Sequence, residues 1–277
     1  MCDKFLNDTK SVYILTNEVV VETANRTRLD QPEHAGSDDS FALNTIDADT
    51  LAKTRKLLNT AIVDAWHTVK TERRPPALTP TRWVWRLAGF YHLCHSTPRL
   101  MRSAQERFAL TNRQNLAQWA GQKAKEEAGH DLLALRDIQS MGYKAEAVVE
   151  ALVPPAAKML LDYFVQSAED SDPIDCVGYS YTAERLGVCI GEGYIQSVEA
   201  LLPPDVKATR CLRAHSAVSS EVEHVKETVA VIAGLTFEER QRVAKACYQA
   251  AFLRFSPPKE AYISDEEIEN VLKPLKT

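Results

Sequence analysis

Residues 111–141, TNRQNLAQWAGQKAKEEAGHDLLALRDIQSM, put an acid and an imidazole on the apolar face of what reads as one long helix. At about 100° per residue, Leu116, Ala120, Ala134 and Ile138 form a single stripe. Glu127 falls about 20° from Leu116, and His130 about 40° away on the other side. Buried polar groups are costly unless something satisfies them. The fold must therefore bring partners to this face. Glu-x-x-His on an inward helical face is also the local pattern of carboxylate-held metal sites in helical bundles. In this reading Glu126 is a solvent-side neighbour of Glu127, or the ligand in its place if the helix is locally rotated.

The rest of the chain predicts the same architecture. Glycine is sparse, and Leu, Ala, Glu, Arg and Lys are abundant, which favours helix. The 277 residues, 45% of them hydrophobic, suffice for a sizeable core. Helices are expected over 49–72, with Asp49 as N-cap, and over 81–109, with a break or kink at Ser96-Thr97-Pro98. More are expected over 111–141, 144–152, 155–168, 172–202, 206–233, 237–255 and 265–272. Thr236 and Glu239 have capping-box spacing. Residues 1–48 stand apart as an arm before the helical domain of 49–277. Within the arm, 11–22 is rich in β-branched residues and reads as extended or as a hairpin around Thr16-Asn17.

Composition also bounds the partners. The net charge is −5 and there is no concentrated basic face, which argues against nucleic acid. No apolar run reaches membrane-spanning length, and the N-terminus lacks a secretory pattern. The six cysteines are scattered and read as reduced thiols of a cytoplasmic protein. Among them, Cys94 and Cys189 are the two that could mimic a catalytic nucleophile, against the plainer reading of buried inert thiols. A homodimer is expected, because long bundles often leave one apolar face to pair.

Two further helices carry inward acids. In 172–202, Glu184 lies within about 20° of Val177 on the apolar stripe. The plain reading is a buried carboxylate paired with an arginine such as Arg86. In 206–233 a second Glu-x-x-His, Glu221 with His224, follows His215. On an unbroken helix His215 and His224 would point roughly 180° apart. A break near Ser219-Ser220 would bring them to one side. Such acid–histidine pairs can also be exposed surface pairs. His92 and His95 read as core or supporting histidines.

From residue 83 to 255 the chain resembles the heme-oxygenase-like fold. The likeness is to its branch of iron-containing redox enzymes and diiron oxidases, related to thiaminase-II-like and pyrroloquinoline-quinone-synthesis-like proteins. The carrying residues are EEAGHDLLALRDIQSMG, the inward Glu184 and HSAVSSEVEHVKE. The resemblance implies an all-α helical bundle with Glu127, His130, Glu184, His215, Glu221 and His224 as ligands to two iron ions, or to manganese, without heme. The implied partners are O2 and a small organic substrate. On the last ligand helix the family spaces His, acid and His at i, i+4 and i+7, whereas this chain has i, i+6 and i+9. The same fold also hosts metal-free enzymes of the thiaminase or quinone-synthesis type and could host a non-enzymatic binding protein.

Overall fold

The computed structural model describes residues 46–69 and 76–277. The expected N-terminal arm falls almost wholly outside the described residues. Among these residues the regular elements are helices, with one isolated bridge between Tyr143 and Lys276. In chain order they are α1 (Ala48–Thr68), α2 (Pro80–Leu110), α3 (Gln114–Glu126), α4 (His130–Ser140), α5 (Ala145–Ala151) and α6 (Pro155–Glu169). There follow α7 (Asp175–Gly187), α8 (Glu192–Glu199), α9 (Arg210–Ala214), α10 (Glu221–Ala233), α11 (Phe237–Phe255) and α12 (Asp265–Leu272). None of them is long and apolar enough to cross a membrane.

Helix starts follow local chemistry. Asp47, two residues before the expected cap, accepts the Thr50 amide at 2.9 Å. Thr236 and Glu239 form the expected capping box on α11.

Four boundaries differ from the sequence reading. Helix α2 runs unbroken through Pro98. Its two halves are both buried, Trp83 and Leu87 in one and Leu100, Met101 and Phe108 in the other, and this packing outweighs the one backbone bond that proline removes. The long helix over 111–141 is instead two. The chain turns at Gly129, whose φ of 89° suits glycine alone at no cost. The helix expected over 172–202 is interrupted between α7 and α8. There Gly187 lets the His215 carbonyl approach so closely that an added Cβ would lie 2.9 Å from it. The helix expected over 206–233 breaks between Ala214 and Glu221. Ser216 and Ser219 donate their hydroxyls to the Arg213 and Ser216 carbonyls at 2.8 and 2.7 Å, in place of helical bonds.

Two apolar cores result. The larger gathers Leu58 and Ile62 of α1, Phe108 of α2, Trp119 of α3, Phe164 of α6 and Tyr181 of α7. The smaller gathers Trp83 and Leu87 of α2 with Ile138, Val148, Ile195 and Ile268. Helix α2 contributes to both. Between its two contributions lies Cys94, packed with Ala134 and Cys211 in a third, small cluster.

Helices α7 and α11 cross at Gly178. A Cβ there would meet the Val243 carbonyl at 2.5 Å and the Ala246 Cβ at 2.7 Å. Backbone cannot yield as a flexible side chain can. Gly178→Ala is therefore expected to destabilise the protein by about 1–3 kcal/mol, read as a lower urea midpoint. An unchanged midpoint would mean that the two helices do not approach this closely.

Candidate metal centre

Glu127, His130, His215 and Glu221 are each delivered by an end or a break in a helix. Glu127 is the residue at which α3 ends, and His130 opens α4 after the Gly129 turn. The turn keeps the pair together, with His130 Nδ1 3.1 Å from Glu127 Oε2. His215 caps the end of α9, and Glu221 begins α10. The serine-rich break turns both neighbouring imidazoles toward one carboxylate. His215 Nδ1 lies 3.6 Å and His224 Nδ1 3.8 Å from Glu221 Oε1. Glu221 is 2% exposed.

Glu126 also faces inward rather than to solvent. Its Oε2 lies 3.7 Å from His224 Nε2 and 3.0 Å from Lys123 Nζ. Ending α3 one residue later directs both acids of the Glu-Glu pair to the cluster.

Glu184 is buried on α7, but its partner is neither Arg86 nor an imidazole. Arg86 donates instead to the Tyr194 hydroxyl. Glu184 Oε1 lies 3.0 Å from Lys123 Nζ, and Oε2 accepts from Thr228 Oγ1 at 3.2 Å. Thr228 in turn accepts from the Trp119 indole at 3.2 Å. Lys123 is only 3% exposed. Its ammonium sits at ion-pair distance from Glu126 and Glu184 without aligned hydrogen bonds. The sequence reading passed over this lysine. Yet it is seven residues after Leu116, about 20° away on the same stripe and on the side opposite Glu127.

A second missed group is Cys94 with Cys211. Cys94 Sγ lies 3.5 Å from His215 Nε2, so this thiol borders the centre, whereas Cys189, just past the end of α7, contacts the Arg185 carbonyl of that helix. Cys211 is held by Asp137, fully buried, which accepts its amide at 2.9 Å and pairs with Arg210 at 2.9 Å. Cys94 and Cys211 are 117 positions apart, so no local spacing in the sequence links them. The other histidines among the described residues stand aside. His92 meets the Leu152 carbonyl, His95 pairs with Asp131 at 2.7 Å on the surface, and His67 is exposed at the end of α1.

The groups open on a cavity of about 130 Å³. Phe90, Met101, Phe164 and Tyr179 supply apolar walls, while Lys123, Glu127, Glu184, His215 and Glu221 supply the polar side. Four carboxylates, three imidazoles and one ammonium thus share one interior region. Burial, with Glu221 and Glu127 nearby, pushes Glu184 up to about 7 despite Lys123. Burial would also raise Glu127, but His130, His215 and Lys123 outweigh it and hold the carboxyl below its usual range. Burial works against a charged His215 as well. The neighbouring Cys94, Glu221 and Glu127 overcome it, and the imidazole is pushed well above its usual range. The neighbouring Cys211, together with burial, pushes the Cys94 thiol well above its usual range.

Ligand atoms that share a first-row ion at about 2.0–2.2 Å can lie up to roughly 4.4 Å apart. The imidazole–carboxylate separations of 3.1–3.8 Å meet that limit. Glu127, His130 and His215 each offer a ligand atom, all within 4.8 Å of one another, so a shift of a few tenths of an ångström would let the three share one ion. An excess of buried carboxylates over fixed cations likewise favours a bound cation.

No family model matches the chain, and no curated protein does. Among solved structures, a domain of unknown function with a heme oxygenase-like fold from Shewanella denitrificans OS217 superposes with a TM-score of 0.52. The two are 20% identical over 85% of this chain and 94% of that one. The chain has a heme oxygenase-like fold.

Proposed function

We propose that the protein is a non-heme iron oxidase acting on a small organic substrate, with Glu127, His130 and His215 as the nearest ligands of the ion and Glu221 and His224, which face His215, as the further ones. The observation that carries this reading is the break between α9 and α10, which faces His215 and His224 onto Glu221 beside the Glu127/His130 pair. Mixed carboxylate and imidazole donors suit iron or manganese. A bound iron would supply O2 activation.

The resemblance implied two ions, and the geometry favours one. Both Glu184 oxygens are engaged, by Lys123 and by Thr228, and Glu126 shares the same ammonium. Lys123 thus supplies fixed positive charge where a second ion would need these carboxylates. The chain's own groups do the rest. The apolar walls of the cavity hold the substrate and exclude water. Glu184, with its carboxyl raised to about 7, can hold or release a proton at the cavity wall.

The test is metal content. Full-length protein produced with added iron under reducing conditions should carry about one iron per chain. Glu127→Ala/His130→Ala should carry almost none while keeping its helical circular dichroism. Iron-free wild type under these conditions would remove the reading and favour a metal-free enzyme on this fold. Two irons per chain would show that Lys123 yields its carboxylates to a second ion.

A further inference from the structure

The cavity holds a second cluster of metal-ligating side chains, and its chemistry differs from that of the carboxylates. Cys94 of α2 and Cys211 of α9 are 8% and 0% exposed. With His215, each offers one ligand atom, and the three lie within 4.8 Å of one another. Cys94 Sγ and His215 Nε2 are 3.5 Å apart. Zinc takes sulfur at about 2.3 Å and imidazole nitrogen at about 2.0–2.1 Å, so such a pair can share one ion. All three residues line the cavity, which leaves room for a further ligand.

The surroundings hold these ligands in place. Asp137 fixes the Cys211 backbone and anchors α9 to α4. His215 presents Nε2 to the thiols while Nδ1 faces Glu221. A carboxylate behind the distal ring nitrogen is the usual support of a metal-bound histidine. Two cysteines and one histidine with an open fourth position form a known catalytic type of zinc set.

We propose that Cys94, Cys211 and His215 form a separate site for a thiophilic divalent cation, zinc by preference, whose open position faces the cavity and takes water or a substrate oxygen. His215 is the one residue common to this site and the proposed iron set, so an ion held here through Nε2 competes with iron for His215, and binding here does not require iron. Soft thiolates select zinc-like ions where the carboxylate set selects iron.

Cobalt(II) is the probe. Added to metal-free full-length protein, it should produce a thiolate-to-cobalt charge-transfer band that saturates near one ion per chain and is displaced by zinc. Cys94→Ser and Cys211→Ser should each lose most of the band. Glu127→Gln/His130→Gln should keep it, so failure of the iron reading leaves this test intact. In the wild type, zinc should protect Cys94 and Cys211, but not Cys189, from alkylation under partly denaturing conditions, as mapped by mass spectrometry. This second measurement stands even if a serine variant fails to fold. Absence of the band, its survival in both serine variants, or equal alkylation of the three cysteines with and without zinc would overturn the proposal.

Discussion

Lys123→Met is expected to destabilise the metal-free protein by about 3–5 kcal/mol at pH 8, the usual result of removing one partner from a buried ion pair. Methionine preserves most of the stem's volume, so the loss reports the ammonium. Lys123 Nζ is 3.0 Å from both Glu184 Oε1 and Glu126 Oε2, and Glu184 is 7% exposed. Without the lysine, Glu184 must stay charged in the interior or take up a proton, and both are unfavourable at that pH. Glu126 is better placed, because His224 Nε2 lies 3.7 Å from it. Adding Glu184→Gln to Lys123→Met should therefore recover much of the loss. Urea unfolding of the four proteins in this cycle measures the coupling. A cost below about 1 kcal/mol, the range of exposed pairs, would mean that the ammonium lies in water. The same variant tests the one-ion reading. With its internal cation gone, Lys123→Met should take up more iron per chain than the wild type.

The importance of Lys123 also marks where sequence reading stops. The stripe from Leu116 through Glu127 was legible, and so were the inward face of Glu184 and the two Glu-x-x-His pairs, because helical period alone sets them. The capping box at Thr236 and the short C-terminal helix were legible for the same local reason. Lys123 lay on the stripe as plainly as Glu127 did. It was missed because lysine is assumed to snorkel out, and only the facing Glu184 of α7 keeps it in. The turn at Gly129 was signalled by the glycine itself, yet the good helix formers around it read through. The break after His215 could be guessed from Ser219-Ser220. Its extent depends on Ala217, whose amide donates to the Ile190 carbonyl across the interruption of α7 and α8. The meeting of Cys94, Cys211 and His215 is purely tertiary, since it needs α9 packed on α4 and both brought to Cys94 of α2. Helix-face arithmetic thus finds the acids and histidines, while charge balance and long-range contacts require the assembled bundle.

Glu184 should make the metal-free protein less stable as pH rises from about 4.5 to 7. Its carboxyl titrates near 4.5 in the unfolded chain and is pushed up to about 7 in the fold, by burial first and then by Glu221 and Glu127. A raised carboxyl favours folding while both states hold the proton. That advantage is lost as the unfolded chain ionises and the fold resists, until pH passes the folded value. A shift of this size corresponds to roughly 3 kcal/mol across the window. Other groups contribute to the total. Burial also raises Asp137, which acts in the same direction, and the lowered Glu127 acts in the opposite one. The useful quantity is therefore the difference between Glu184→Gln and the wild type, in which shared groups largely cancel. Glutamine stays neutral and keeps an oxygen for Thr228, and Lys123 retains Glu126. The variant should gain on the wild type by about 2–3 kcal/mol between pH 4.5 and 7.5. A difference that is flat with pH would show that Glu184 is solvated in the fold. Iron held by the neighbouring ligands would favour the charged carboxylate, so loading the wild type should shrink the difference. Shrinkage absent from Glu127→Ala/His130→Ala would tie the bound ion to Glu127 and His130 by a readout independent of turnover.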